Sequence, residues 1–524
     1  MKQERIYPVG IQDFEKLRNK GAIYVDKTDL IYSLAQKDYI FLNRPHRFGK
    51  SLLSSTLKYY FQGRKDLFQD LAIESFEKEW KQYPVLHFDL STAKNQELIG
   101  VKSEIERQLR QYENIYGQDV KNDSPGKRLT YLINAAHKQS EQKTVVIIDE
   151  YDAPMLDVLH DDEKMDKVRK LMQEFYAPLK ACDADLRFVF ITGITKFSQL
   201  SIFSVINNLT NVSMLPEFSA ICGITEEELH TVFKEDIAVL AEKYKCTEEE
   251  MRIRLKMQYD GYHFSEDSAD IYNPFSLLNV FAANKIRSYW FESGTPTYLI
   301  HQLRHFGTDV TTLDAIEASE EMFDRPSEVM NDTLPLLYQS GYLTIKSYDQ
   351  DFGSYILGIP NKEVRVGLTE HLLPFYTHRS DMVNGGFIQD FCRAMLREDL
   401  NAALMAMRAY MASIPYPEGG KSILEDMEKN EYYYETIFYL VFSFMNRHVQ
   451  TQVKTCRGRA DVVMFTPKAI YVFELKINKS AQEALAQIDE KGYMIPYTAD
   501  GRKLVKCGIC FSTETRTIED WIIG

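Results

Sequence analysis

Residues 459–476 read RADVVMFTPKAIYVFELK, and this stretch decides the fold of the C-terminal part of the chain. It contains two β-type runs, 460–465 and 469–476, separated by a turn signal at 466–468. A further β-type run, 449–453, precedes them across another turn. The stretch therefore predicts three short strands that lie side by side.

Three charged residues on these strands are candidates for chemistry. Glu474 and Lys476 are two residues apart, so they share one face of a strand, and Asp461 lies on the strand before. The run 470–473 is apolar, which indicates a buried strand on which unpartnered charges are costly. Two carboxylates and one ammonium held together suit a divalent metal ion and a developing phosphate charge. A solvated surface ion pair is the alternative.

Two flanking segments extend this pattern. A helix is expected at 480–491 and carries Gln487, while Glu435 has Phe438 and Tyr439 beside it at helical spacing, which favours an inward-pointing carboxylate. With these additions the C-terminal region resembles the PD-(D/E)xK nuclease core, an α/β restriction-endonuclease-like fold. The resemblance implies a catalytic site formed by Glu435, Asp461, Glu474, Lys476 and Gln487, with Asp461 and Glu474 as ligands of Mg²⁺.

Length and charge set limits on the whole chain. At 524 residues it is too long for one core, and its 44% hydrophobic and 26% charged residues are typical of globular domains. The net charge of −14 argues against broad coating of nucleic acid. Between residues 451 and 510, however, ten Lys/Arg stand against six Asp/Glu, a local charge of +4. This local excess suits a surface that contacts phosphates.

Cysteine use and hydropathy indicate the compartment. The seven cysteines are scattered, which suggests a reducing environment. Cys507 and Cys510 form the one local pair, and a buried strand explains them better than a redox or zinc half-site. No signal peptide and no apolar run of about 18 residues is visible. We expect a cytoplasmic protein without membrane contact.

A second chemical motif lies near the N-terminus. The apolar run 39–42 leads into RPHRFGKS at 44–51, and 52–61 is helical in pattern. Strand, loop, Gly-Lys-Ser and helix form the context of a phosphate-binding loop. The general pattern expects glycine where Arg44 stands, so the match is imperfect. The predicted nucleotide-binding residues are Arg47, Phe48, Gly49, Lys50, Ser51 and Leu52, with Ser51 also holding Mg²⁺.

The run 144–150, TVVIIDE, supplies a second half of this motif. It is a continuous apolar strand that ends in two carboxylates, as in a Walker B element, with Asp149 on the Mg²⁺ side and Glu150 polarising a water. The alternative is a buried strand that merely ends in acids. Apolar strands are also expected at 84–90 and 186–193, the last ending in Thr192 at a sensor-like position. Strands separated by helices predict a mostly parallel sheet with helices on both faces.

Several motifs are similar to those of the bacterial AAA-ATPase-like family. They are RPHRFGKS at 44–51, DEYD at 149–152, GITKFS at 193–198, YDGYHF at 259–264 and YNPF at 272–275. The resemblance implies a P-loop NTPase sheet that binds ATP and Mg²⁺, followed by a C-terminal nuclease-like domain. It also implies that arginine in place of the loop glycine is compatible with nucleotide binding.

The middle of the chain carries less information. Charged amphipathic helices are expected at 226–244 and 248–258, followed by two strands near 343–345 and 355–359. These elements are similar to a winged-helix lid, although a plain helical lid is the alternative. The predicted domains are 1–225 (AAA-ATPase-like P-loop), 226–376 (helical or winged-helix-like lid), 377–420 (helical linker) and 421–524 (nuclease-like). The Pro/Gly cluster at 414–420 is the clearest predicted boundary.

The leading hypothesis is an ATP-binding and ATP-hydrolysing protein coupled to a metal-dependent nuclease that acts on nucleic acid, DNA in preference to RNA. A nucleotide-switched module that binds nucleic acid or protein without cutting is one alternative, and an ATPase that regulates a protein partner is another. Arg44, Arg47 and Arg187 are open candidates for an arginine finger. Homo-oligomerisation is also left open.

Overall fold

The structure is a computed structural model that describes residues 5–93, 98–119, 124–156, 158, 161–196, 209–293, 299, 302–303, 306, 308–325, 332–377, 381–414, 431–444, 448–455 and 458–524. The chain divides into two compact units. One comprises Met1–Trp290 with Glu317–Asn361, and the other comprises Phe291–Ile316 with Lys362–Gly524. Within the described ranges, none of the helices combines the length and the hydropathy needed to cross a bilayer.

The first unit is built on a five-stranded parallel sheet in the order β2-β3-β4-β1-β5. Its strands are β1 (Tyr39–Asn43), β2 (Val85–Asp89), β3 (Thr144–Asp149), β4 (Leu186–Gly193) and β5 (Thr210–Asn211). The four longer strands are almost entirely apolar, as expected for a sheet that is buried on both faces. The predicted parallel sheet is confirmed.

Helices cover both faces of this sheet. The helices before and between the strands are α1 (Phe14–Asn19), α2 (Thr28–Ala35), α3 (Lys50–Phe61), α4 (Leu98–Tyr116), α5 (Pro125–Ser140), α6 (Ala153–Leu156), α7 (Asp162–Tyr176) and α8 (Pro178–Ala181). One face of the sheet, including Phe41 and Ile148, packs against α4, α5 and α7. On the other face, Phe188 packs against Phe61 of α3 with ring centroids 4.8 Å apart.

A helical subdomain follows the sheet within the same unit. It contains α9 (Glu226–Val232), α10 (Lys234–Tyr244), α11 (Glu248–Tyr259) and α12 (Pro274–Ala283), with a short antiparallel pair β6 (Ile224–Thr225) and β7 (Ile271–Tyr272). Thr225 and Thr247 begin α9 and α11 with capping boxes, in which the threonine and the third helical glutamate satisfy each other's backbone N–H groups. The charged helix predicted at 248–258 is confirmed, whereas the one predicted at 226–244 is divided at Phe233 into α9 and α10.

A small sheet belongs, except for Ile316, to the first unit. It contains β8 (Ile316–Ala318), β9 (Thr344–Asp349) and β10 (Ser354–Gly358) in the order β8-β10-β9, together with α13 (Glu320–Phe323) and α14 (Leu334–Gln339). The two predicted strands pair antiparallel. The third strand, β8, was not predicted, because three residues give too short a pattern to detect.

The second unit contains a mixed sheet in the order β11-β12-β13-β14-β15. The strands are β11 (His448–Thr455), β12 (Gly458–Phe465), β13 (Ala469–Ile477), β14 (Lys503–Ser512) and β15 (Thr517–Ile523), and the helices are α15 (Lys362–Thr377), α16 (Asp381–Leu396), α17 (Leu400–Ala412), α18 (Glu431–Ser443) and α19 (Ala481–Lys491). Only β13 and β14 are parallel, and α19 connects them. The three predicted strands and the helix after them are confirmed.

Two sequence expectations have different outcomes in this unit. Cys507 and Cys510 lie buried in β14 and are not bonded to each other, as the interpretation as a strand predicts. The predicted boundary at 414–420 lies, apart from Ile414, outside the described residues, and the four domain limits stay predictions.

Candidate functional site

The hairpin of β12 and β13 brings the C-terminal candidate residues together. Val462 pairs with Phe473 in this antiparallel register, so Asp461 lies across from Glu474. One carboxylate oxygen of Asp461 (Oδ2) accepts a 2.7 Å hydrogen bond from the backbone N–H of Leu475. The next residue of β13, Lys476, projects from the same face as Glu474 because strand side chains alternate.

The charges of this cluster are largely removed from water. Asp461 is 8% exposed and Glu474 is 1% exposed. The ammonium Nζ of Lys476 donates to Glu474 Oε1 at 2.8 Å and to the carbonyl oxygen of Leu475 at 3.1 Å. A buried carboxylate is stable only when it is paired or bound to a cation, and Lys476 supplies that charge to Glu474.

Helix α19 contributes the fourth member of the cluster. Gln487 Nε2 donates to Glu474 Oε1, so the glutamate oxygen is shared between an amide and the ammonium of Lys476. Gln487 Nε2 also lies 3.3 Å from the hydroxyl of Tyr493. The structure thus connects Asp461, Glu474, Lys476 and Gln487 through short polar contacts.

Tyr493 is a member of this cluster that the sequence analysis missed. It is 2% exposed, and its hydroxyl lies under the start of β12, where a Cβ at Gly458 would come within 2.8 Å of it. The sequence signal for this position is the glycine that precedes it. Gly492 ends α19 in a left-handed conformation, with φ of 66°, and turns the chain back so that Tyr493 reaches Gln487.

Glu435 is buried on the helix that packs against the same strand. It is 2% exposed in α18. Phe438 and Phe442 of this helix pack against Phe473, with centroid distances of 6.4 and 5.1 Å. Positions three and seven residues apart share a helix face, so Glu435 lies on the face directed at β13. The aromatic spacing in the sequence therefore predicted its orientation correctly.

The donor set fits a hard divalent cation. The Asp461 carboxylate contacts the N–H of Leu475, and the Lys476 ammonium contacts both Glu474 and the Leu475 carbonyl, so the oxygens of this cluster are of the kind that suits Mg²⁺. Within the described residues no group of three or more His, Cys, Asp or Glu side chains converges in a metal-binding arrangement. Any cation at this site would thus depend on two carboxylates, the carbonyl and other oxygen ligands.

The phosphate-loop residues lie between β1 and α3 in the first unit. Gly49 begins α3 with φ of 92°, a left-handed conformation that only glycine adopts without strain. The Lys50 ammonium is 3% exposed and donates to the carbonyl oxygens of Arg44 and Pro45 at 3.1 and 3.3 Å. The loop therefore surrounds the cation, and the N-terminus of α3 points its N–H groups at the same space.

Asp149 and Glu150 meet this loop at the end of β3. The hydroxyl of Ser51 donates to Asp149, and Glu150 Oε1 lies 3.4 Å from Lys50 Nζ. Burial, reinforced by the charge of Glu150, raises the pKa of Asp149 to about 7. The Ser51 hydroxyl and the Lys50 charge oppose this shift without cancelling it, and a magnesium ion beside the carboxylate would lower its pKa further. The four residues fit the Mg²⁺–nucleotide role predicted for them.

The remaining loop residues face the helical subdomain. The Arg47 guanidinium donates to the carbonyl of Tyr289 at 3.2 Å and lies 3.8 Å above the ring of Phe275. Phe48 packs edge-on against Tyr262, with centroids 4.7 Å apart. Arg47 and Phe48 therefore connect the loop to this subdomain.

An apolar pocket opens beside the loop. Its cavity volume is about 90 Å³, and its walls come from the N-terminal segment, the loop and the helical subdomain. The lining includes Tyr24, Phe48, Gly49, Leu52, Ile224 and Leu278. A mostly apolar lining next to a few polar groups is the usual composition of a small-molecule site. Leu52, predicted to contact nucleotide, lies in this wall.

The turn after Asp149 is bonded to the end of β4. Asp152 is fully buried and accepts hydrogen bonds from the N–H groups of Ile194 and Thr195 and from the Thr195 hydroxyl, at 2.7 to 3.0 Å. Thr192, at the sensor-like position, donates its hydroxyl to the carbonyl of Leu42 at 2.7 Å. Both contacts fix the strand ends that border the loop.

The arginine-finger candidates lie in different places. Arg187 begins β4, at the sheet edge opposite the phosphate loop, and donates to the carbonyl of Ala35 at 3.0 Å. Arg44 is 1% exposed and is held by backbone carbonyls. A finger that acts on the nucleotide of its own chain must reach the phosphates, which the Arg187 guanidinium does not do from the opposite end of β4.

Comparison with known sequences agrees with both halves of the structure. Residues 8–203 match the family described as predicted AAA-ATPase, and residues 429–521 match the PD-(D/E)XK nuclease superfamily. The chain is also 31% identical over 525 residues to an uncharacterized protein in the vnfD 5' region of Azotobacter chroococcum mcd 1, covering 98% of both chains. The chain therefore belongs to the AAA-ATPase-like family, with a predicted AAA-ATPase region at its N-terminus and a PD-(D/E)XK nuclease superfamily domain at its C-terminus.

Proposed function

We propose that the protein is an ATP-dependent nuclease that hydrolyses phosphodiester bonds of nucleic acid, DNA in preference to RNA. The observation that carries this proposal is the hydrogen-bonded cluster of Asp461, Glu474 and Lys476 in a nuclease-superfamily fold. A module that only binds nucleic acid has no need of two buried carboxylates and a buried ammonium at one point.

Each residue of the C-terminal site has a role in the proposed reaction. Asp461, Glu474 and the carbonyl of Leu475 would hold Mg²⁺, which supplies positive charge to the developing phosphate charge and lowers the pKa of water. Lys476 would orient the attacking water as an ammonium, or take a proton from it as a neutral amine after losing its own proton. Gln487 keeps Glu474 in place through its amide, and Glu435 would position the site from α18.

The N-terminal site is proposed to bind and hydrolyse ATP. Lys50 would exchange its contacts with the loop carbonyls for the β- and γ-phosphate oxygens, and Ser51 with Asp149 would hold Mg²⁺. Glu150, 3.4 Å from Lys50, is placed to polarise the attacking water. The apolar pocket bordered by Phe48 and Leu52 would receive the base. ATP binding would then control cleavage by the other site.

A cleavage assay with matched variants tests the nuclease proposal. Labelled single- and double-stranded DNA and RNA are incubated with Mg²⁺ or Mn²⁺, or with a chelator, in the presence of ATP. Asp461→Asn should abolish metal-dependent cutting. Asp489→Asn, an exposed carboxylate on α19 paired with Lys506, should leave it intact. Absence of cutting by the wild type on every substrate, with ATP hydrolysis preserved, would favour the binding module instead.

A further inference from the structure

Arg44 stands where the general phosphate-loop pattern has glycine, and its guanidinium is held entirely inside the first unit. Nη1 donates to the carbonyl oxygens of Asn43 and Ser213 at 3.0 and 2.8 Å, and Nη2 donates to that of Phe218 at 3.1 Å. Its Cζ lies 4.2 Å from the centroid of the Phe264 ring. These partners are neutral dipoles and one aromatic face.

Within the described part of the chain, no carboxylate pairs with Arg44. The acidic side chains at the end of β3 contact Lys50 and Ser51 instead. Burial lowers the pKa of Arg44 to about 10, which still leaves it charged at neutral pH. A buried cation with no counter-ion is costly, since carbonyl dipoles replace only part of its hydration.

The backbone of Arg44 ties this charge to the phosphate loop. Its N–H donates to the carbonyl of Gly193 at 3.2 Å, and its carbonyl accepts the Lys50 ammonium at 3.1 Å. Phe264, beneath the guanidinium, packs against Phe48 with centroids 5.4 Å apart. Arg44 does not have the positive φ that would require glycine, so a side chain is tolerated here.

We propose that Arg44 is a positioning residue that gives the loop a fixed, buried positive charge, for which the nucleotide phosphates are the counter-charge. This inference rests on the proposed ATP binding and identifies the source of part of its affinity. Because charges interact strongly in low-dielectric surroundings, a guanidinium behind the loop attracts a polyphosphate without touching it. The arginine compensates for the missing glycine by electrostatics and by fastening the loop to residues 213–218.

Two substitutions separate the charge from the hydrogen bonds. Arg44→Gln is neutral but keeps N–H donors for the carbonyls, whereas Arg44→Lys keeps the charge but loses the planar fork. Arg64→Gln, an exposed arginine beyond the end of α3, is the control. Dissociation constants for ATP, ADP and AMP are measured by calorimetry on the full chain, and thermal unfolding is measured without nucleotide.

The expected result is at least a tenfold loss of ATP affinity in Arg44→Gln, with a smaller loss for ADP and the smallest for AMP. Arg44→Lys should remain within threefold of the wild type, and the control should be unchanged. Equal affinities in the glutamine and lysine variants, with lower unfolding temperatures in both, would mean that Arg44 acts only structurally and would overturn the inference. A wild type that binds none of the three nucleotides would overturn both this inference and the proposed ATP binding.

Discussion

Asp461 on β12 and Leu475 on β13 join these neighbouring strands of the nuclease-like sheet, since the aspartate carboxylate accepts a 2.7 Å hydrogen bond from the leucine N–H. This bond places Asp461 beside Glu474. The carbonyl oxygen of Leu475 remains free of it and accepts a hydrogen bond from the Lys476 ammonium. The backbone N–H and C=O of one residue, Leu475, therefore contact the Asp461 carboxylate and the Lys476 ammonium, which also pairs with Glu474, so cleavage should be sensitive to each of these side chains.

Replacing Lys476 by methionine should remove cleavage in a chain that still folds, with a lower free energy of unfolding because buried Glu474 loses its paired charge. The ammonium is the cation nearest to Glu474, and its loss takes away the group proposed to orient water. We expect a fall in cleavage rate of about 100-fold or more, as for loss of an acid–base group. Lys468→Met, at the turn of the same hairpin, should cut normally. Normal cutting by Lys476→Met would remove this lysine from the mechanism.

Tyr493→Phe should have a milder effect. The hydroxyl contacts Gln487, and one neutral hydrogen bond contributes about 0.5–1.5 kcal/mol, which corresponds to roughly 2- to 10-fold in rate. The expected loss is in the rate of cleavage, with the free energy of unfolding lowered by no more than about the same 0.5–1.5 kcal/mol. Tyr497→Phe, whose ring packs on Phe465, is the control. An equal loss in both variants would point to packing and not to the contact with Gln487.

The stability of the first unit should depend on the titration of Asp260. Burial, at the end of α11 and near Asp270, raises its pKa from 3.8 to about 7, although Lys256 opposes the shift. Between pH 4 and 7 the folded protein holds this proton and the unfolded chain does not, so this group lowers the free energy of unfolding as pH rises.

Asp260→Asn should remove that slope. The free energy of unfolding is measured by urea denaturation at pH 5, 6, 7 and 8. Relative to the wild type, its value for the variant should increase up to about pH 7 and then stay constant. The control is Asp267→Asn, which removes an exposed carboxylate on the adjoining loop. Its free energy of unfolding should change with pH as that of the wild type does. A constant difference between Asp260→Asn and the wild type across this range would contradict the assignment.

Lys196 and Asp324 form an ion pair that connects the end of β4 to the small sheet region. The Nζ–Oδ2 distance is 2.7 Å, and the two side chains are 23% and 6% exposed. Removing the lysine leaves the carboxylate buried, so Lys196→Met should lower the free energy of unfolding by about 1–3 kcal/mol. The double variant with Asp324→Asn should recover part of the loss, as a double-mutant cycle in urea measures.

The exposed pair Lys102–Glu106 provides the comparison for this cycle. Its atoms are 3.8 Å apart on the surface of α4, and such pairs contribute about 0.3–0.5 kcal/mol. If the Lys196–Asp324 coupling were no larger than this value, the pair would have no special role in fixing the loop after β4.

The phosphate loop and the shared strand face of the nuclease-like site were predictable, because both depend on short stretches of sequence. Gly49 and the apolar strand ending at Asp149 identify the phosphate loop, and Glu474 with Lys476 share a face because strands alternate. Contacts between distant segments could not be predicted in this way. The burial of Arg44 depends on Ser213 and Phe218, about 170 residues later, and nothing in its own neighbours indicates it.

Tyr493 shows a second limit of the sequence. Its role depends on how far Gly492 turns the chain after α19, and a turn signal alone does not specify which residue then returns to the site. The orientation of Glu435, by contrast, followed from helical spacing, because Phe438 and Phe442 had to face a core.

The coupling of ATP binding to cleavage is tested most directly by measuring cleavage rates of the wild type and Lys50→Met, each with and without ATP. Lys476→Met is measured beside them. Lys58→Met, at the other end of α3, is the matched control. We expect ATP to change the cleavage rate of the wild type and the control and to leave the rate of Lys50→Met unchanged, and we expect no cutting by Lys476→Met. Cleavage by the wild type that is the same with and without ATP, and unaffected by Lys50→Met, would contradict the coupling of the two sites.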